Sequence, residues 1–119
     1  MKLMIVEDNE QMRRFIRSLV ARLADDIHEY SDGSEAVAAY AAHHFTGADW
    51  VLMDVEMKGM DGITATRKIK EAFADANIMI VTQHDDIQLR ASALDAGAAD
   101  YVLKENLATV RRILQTRGH

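Results

Sequence analysis

Three carboxylates stand where the chain leaves an apolar run. Glu7 and Asp8 follow Leu3-Met4-Ile5-Val6, and Asp54 follows Trp50-Val51-Leu52-Met53. Thr82 ends a third run, Ile78-Met79-Ile80-Val81, and Lys104 ends a fourth, Tyr101-Val102-Leu103. If these groups share one place, the acidic ones cannot lie there unpaired, because each negative charge raises the pKa of its neighbours. A divalent cation with oxygen ligands relieves that repulsion. Magnesium suits best, since it takes few carboxylates and keeps several waters. A metal beside an ammonium and a hydroxyl is an arrangement for a phosphoryl group, whose oxygens the cations neutralise and the hydroxyl hydrogen-bonds. The chain has no Gly-x-x-x-x-Gly-Lys loop and no Gly-x-Gly-x-x-Gly, so no nucleotide cradle presents that group. The acceptor is then a side chain of the protein, and Asp54, able to form an acyl phosphate, is the candidate.

Whether these residues meet depends on the elements that carry them. Short, continuous apolar runs read as strands buried on both faces. Met12, Phe15, Ile16, Leu19, Val20 and Leu23 recur at helical spacing, so Asp8 or Asn9 caps a first helix running to about Ala24. Ile27-His28-Glu29-Tyr30 alternates apolar with polar and suits an edge strand. A turn at 31–34 leads into a helix with Ala36, Val37, Tyr40 and Ala41 inward, and 43–48 form a loop. Asp61-Gly62 opens a helix with Ile63, Thr66, Ile69 and Phe73 on one face. Asp85 and Asp86 cap another, which stops at Ala96-Gly97. Asn106 caps the last, with Leu107, Val110 and Leu114 inward. Five strand–helix units without linker or repeat imply an α/β fold, a parallel sheet covered by helices on both sides. All strand C-termini then lie on one edge, where such sheets bind ligands. Glu7, Asp8, Asp54, Thr82 and Lys104 should converge there.

Composition narrows the class. A chain of 119 residues, 49% hydrophobic, is one domain spanning 1–119. A net charge of −5 gives no sign of nucleic-acid binding by this segment. The absence of cysteine excludes disulfides and thiolate metal sites and fits a cytoplasmic protein. The apolar run before Glu7 is four residues long, too short for a signal peptide or membrane span.

Taken together, Glu7-Asp8, Asp54, Met57-Lys58-Gly59-Met60-Asp61-Gly62, Thr82 and Lys104, in this order, resemble the signature of bacterial response-regulator receiver domains over essentially the whole chain. The resemblance implies a flavodoxin-like, doubly wound sheet in the order 2-1-3-4-5 with five helices. It implies that Asp54 accepts a phosphoryl group from the phosphohistidine of a sensor histidine kinase. Glu7, Asp8, Asp54 and the backbone carbonyl of Glu56 would hold Mg²⁺, directly or through water. Lys104 would contact the phosphoryl oxygens and Thr82 would follow them as a switch, with Tyr101 moving inward behind it. Glu56 and His84 occupy positions that modulate hydrolysis of the acyl phosphate. The protein would be a regulator with slow self-dephosphorylation rather than an enzyme. Its fourth-helix, fifth-strand and fifth-helix face would contact an output domain, a target or a second copy.

The chain departs from the family pattern at three places. Lys58 and Glu105 stand where prolines are usual, and Gln83 where a small residue is. Without proline a cis Lys104–Glu105 bond would cost about 2.5–4 kcal/mol, so a trans bond is expected. The Lys104-Glu105 pair is also similar to receivers attached to DNA-binding outputs of the LuxR/NarL kind. Two other classes compete. Aspartyl-phosphate hydrolases use the same residue types, but carry Asp-x-Asp on the first strand and a cap domain. A phosphorylation-independent adaptor would have lost one of these groups.

Overall fold

The computed structural model describes residues 1–117, and strands and helices alternate through them without exception. They are β1 (Lys2–Val6), α1 (Glu10–Val20), β2 (Asp26–Tyr30), α2 (Gly33–Ala42), β3 (Trp50–Met53) and α3 (Gly62–Ala72). Next come β4 (Asn77–Thr82), α4 (Ile87–Asp95), β5 (Asp100–Leu103) and α5 (Leu107–Arg117). The five strands form one parallel sheet in the order β2-β1-β3-β4-β5, as expected.

The two-residue period of a strand explains the unbroken apolar runs. Met4, Val6, Val51, Met53, Ile78 and Ile80 point to the face covered by α2, α3 and α4. Leu3, Ile5, Trp50, Leu52, Met79 and Val81 point to the face covered by α1 and α5. Two cores share the central strands, so neither face tolerates a polar residue until the strand ends.

Helix starts are set by side-chain caps. Asn9 accepts the Met12 amide, Asp61 that of Thr64, and Asp86 those of Gln88 and Leu89. Asn9 rather than Asp8 therefore caps α1, which leaves the Asp8 carboxylate exposed. Asp86, not Asp85, caps α4. At Gly97 the backbone has φ 109°, a conformation open to glycine, and there the chain turns from α4 toward β5.

Three expectations are corrected. Ala41 is exposed and Ala39 takes its inward place, because Ala41 lies roughly 140° around the helix from Ala36. Phe15 is 53% exposed; Ile16 and Val20 fill the inward position, and Phe15 sits at the edge of that stripe. Asn106 does not start a helix by itself, since Lys104–Asn106 form a 3₁₀ turn running into α5. The Lys104–Glu105 bond is trans.

Gly62 is the tightest point of the fold. A Cβ there would lie 1.8 Å from the Asp54 carbonyl oxygen, while its amide donates to the Val55 carbonyl at 2.9 Å. Gly62→Ala must push the Asp54 segment and α3 apart. Urea unfolding of this variant should show a loss of at least about 2 kcal/mol.

Candidate functional site

The sheet brings the predicted groups to one edge. Strand pairing continues one residue past each strand, with the Glu7 amide donating to Tyr30 O (2.9 Å) and the Asp54 amide to Val6 O (3.0 Å). This places both side chains at the C-terminal rim. Carboxylate oxygens of Glu7, Asp8 and Asp54 lie within 4.8 Å of one another. Lys104, delivered by β5, sets its Nζ 2.7 Å from Glu7 Oε1 and 3.2 Å from Asp54 Oδ2. The other Asp54 oxygen, Oδ1, accepts the Val55 amide at 2.8 Å.

Burial sharpens the electrostatics. Glu7 and Asp54 are 1% and 6% exposed. Burial, and then the Glu7 charge, push the Asp54 carboxyl up from 3.8 to about 6, although Lys104 and the Val55 amide pull the other way. Burial also disfavours the Lys104 ammonium, but Glu7 and Asp54 outweigh it and hold that group above its usual range. One lysine thus serves two buried carboxylates, and a third is adjacent. Glu7 Oε2 accepts the Asn9 amide. Its Oε1 faces the Lys104 ammonium at 2.7 Å. An oxygen-only donor set and an excess of negative charge fit a hard divalent cation such as Mg²⁺.

These residues open into a cleft of about 1060 Å³. It is lined by Glu7, Asp8, Asp54, Lys104, Glu56 and His84, and also by Met12, Phe15, Lys58 and Leu89. Glu56 Oε1 and His84 Nε2 stand 2.9 Å apart across the cleft lining. Thr82 and Tyr101 do not line it. Thr82 is fully buried and its Oγ accepts the His84 amide at 3.2 Å. The Tyr101 hydroxyl donates to the His84 carbonyl at 2.7 Å, and the Arg90 guanidinium lies 4.6 Å above its ring. Both residues therefore reach the site through the backbone of His84.

Several participants escaped the sequence reading. Asn9 and Arg13 support Glu7, the latter by donating to its carbonyl at 2.8 Å. Asp32 binds the amide of Met60 in the loop after Asp54. The spacing from Glu7 hints at Arg13, one helical turn past the cap. Nothing local marks Asp32, since its contact spans 28 residues.

The response regulator receiver domain model matches residues 3–115, and the chain belongs to that family. The uncharacterized transcriptional regulatory protein YhcZ of Bacillus subtilis is 36% identical over 88% of this chain and 49% of its own length. Response regulator UvrY of Escherichia coli O157:H7 is 38% identical over 85% of this chain and 46% of its length. The chain thus spans about half the length of these curated relatives. Bacillus subtilis chemotaxis protein CheY is 33% identical over 87% of the chain and 84% of its own length. Among solved structures, a LuxR-family response regulator from Aurantimonas superposes with TM-score 0.86 at 29% identity, covering 98% of this chain and 84% of that one. A chain of the CheX–CheY–BeF3–Mg²⁺ complex from Borrelia burgdorferi superposes with TM-score 0.85 at 25% identity, covering 98% and 88%. Among the described residues no helix is long and apolar enough to cross a membrane.

The raised Asp54 carboxyl has a pH consequence. Folded protein keeps a proton that the unfolded chain has already released, so its stabilising effect is complete below about pH 4 and lost as pH rises through 6. Without metal at pH 7.5, Asp54→Asn should be about 2 kcal/mol more stable than wild type. Chemical denaturation with a chelator present should show that gap narrow by about 1 kcal/mol at pH 5. A variant less stable than wild type would mean that Asp54 is a structural ion-pair partner.

Proposed function

We propose that this receiver domain is a phosphorylation-dependent switch with Asp54 as its phosphoryl acceptor. One observation carries the reading: a buried carboxylate lies within 4.8 Å of two others and 3.2 Å from a lysine, at the mouth of an open cleft. A carboxylate oxygen of Asp54 attacks phosphorus, and the bond from phosphorus to the imidazole nitrogen of a sensor kinase's phosphohistidine breaks. The imidazole leaves with the bonding pair, and Asp54 becomes an acyl phosphate. Lys104 turns its ammonium from Asp54 to the incoming phosphoryl oxygens while keeping Glu7. Glu7, Asp8, Asp54 and the backbone carbonyl of Glu56 would hold Mg²⁺, which neutralises charge on the phosphoryl group when bound. Hydrolysis of the acyl phosphate is slow, and the Glu56–His84 pair beside the cleft modulates it.

The signal leaves through Thr82. Its hydroxyl, which accepts the His84 amide, donates its proton to a phosphoryl oxygen, and His84 carries the change to Tyr101 through the carbonyl that the phenol holds. Tyr101 is inward and buried here, so phosphorylation biases an existing equilibrium toward this arrangement. The face of α4, β5 and α5, where Ile87 and Leu94 are exposed, receives an output domain, a target or a second copy. The kinase and the receiver meet in the cytoplasm.

Incubation with acetyl phosphate and Mg²⁺ should add one phosphoryl group by intact mass, and Asp54→Asn should add none. An unmodified wild type, or a modified variant, removes Asp54 as acceptor. Millimolar Mg²⁺ should raise the melting temperature of wild type by mass action on the folded state. Asp8→Ala, whose side chain is exposed and costs little to replace, should abolish that rise.

A further inference from the structure

The loop from Glu56 to Asp61 lacks the local restriction that a proline would give at Lys58, since lysine leaves φ free. It is held instead from outside. Asp32 Oδ1 accepts the Met60 amide at 3.0 Å, while also accepting the Ser34 amide at 2.9 Å to cap α2. The Gly33 amide donates to the Met60 carbonyl at 3.2 Å. The Asp32 carboxylate lies so close against the loop that a Cβ on Gly59 would be 2.2 Å from its Oδ2. A Cβ on Gly33 would lie 2.6 Å from Met60 O. At its other end the loop is closed by the Gly62 amide on Val55 O. Between these two ties run Glu56, Met57 and Lys58, all lining the cleft. The Ser34 amide first, and then that of Met60, keep the Asp32 carboxyl below the usual carboxylate range, so the acceptor is ionised and strong at neutral pH.

We infer that Asp32 is a positioning residue of the site: through the Met60 amide it fixes the loop that presents the Glu56 carbonyl and Lys58 to the cleft. It does by a tertiary hydrogen bond what a proline does by covalent geometry. This rests on the reading of the cleft as a Mg²⁺ site. Groups that orient a metal ligand from outside change affinity by about 10–100-fold when removed.

Three substitutions separate this role from helix capping. Asp32→Asn keeps an Oδ1 acceptor for both amides. Asp32→Ser keeps a cap for α2, but its oxygen is one bond shorter and draws back from Met60. Asp32→Ala loses both. Calorimetric titration with Mg²⁺ alone should show Asn within about twofold of wild type, and Ser and Ala weakened roughly tenfold. Hydrogen exchange in the metal-free protein should be faster at 56–61 in Ser and Ala but unchanged in Asn. The melting temperature of Ser should stay near wild type. Wild-type affinity and wild-type loop exchange in Ser would overturn the proposal and leave Asp32 a cap only. A wild type that binds no Mg²⁺ would overturn the metal reading itself, and this inference with it.

Discussion

The structure turns on the contact of one ammonium with two buried carboxylates. Lys104 Nζ lies 2.7 Å from Glu7 and 3.2 Å from Asp54, both almost wholly removed from water. A buried charge pair is not a source of net stability by default, because desolvation offsets the Coulombic attraction. Here the balance is worse, with two anions beside one cation and Asp8 at the rim. The raised Asp54 carboxyl expresses that cost. Three strands of the sheet have to end at the same level for this cluster to exist. The fold thus holds more negative than positive charge at one point of the sheet edge.

Everything around the cluster limits how it can relax. Asn9 and Arg13 hold Glu7 by its carboxylate and its carbonyl, so Glu7 cannot turn to solvent. The Val55 amide orients Asp54 from one side, and Lys104 faces it from the other. Gly62 lets α3 begin directly against the Asp54 carbonyl, which ties the loop closely to the strand that bears the carboxylate. Rigidity on this side contrasts with the other side of the cleft. There Glu56 and His84 meet as a partly exposed pair that solvent weakens.

Single contacts link the buried Thr82 to the surface of α4. Thr82 holds the amide of His84, Tyr101 holds its carbonyl, and Arg90 covers the ring of Tyr101. One residue of backbone is therefore shared by the buried hydroxyl near the site and the aromatic near the surface. Arg90 belongs to α4, the helix whose Ile87 and Leu94 lie open to solvent, so the chain of contacts ends on an exposed apolar surface.

The sequence by itself determined the sheet and the convergence. Apolar runs that stop on polar residues at Glu7, Asp54, Thr82 and Lys104 define strands and their C-terminal edge, and parallel topology puts those ends together. That information is local, with a period of two residues, and so it is legible. Periodicity was less decisive at stripe edges, where Phe15 and Ala41 turned outward because a helical pattern gives a face but not its exact limits. Competition between adjacent carboxylates and amides for capping was also undecidable locally, and only the structure chose Asn9 and Asp86. What tertiary structure alone decided were contacts across long sequence separations. These are the sharing of Lys104 between Glu7 and Asp54, the bond from the Tyr101 hydroxyl to the His84 carbonyl, and the bond from Asp32 to the loop after Asp54. Each depends on elements distant in sequence meeting within hydrogen-bonding distance, which no residue pattern encodes.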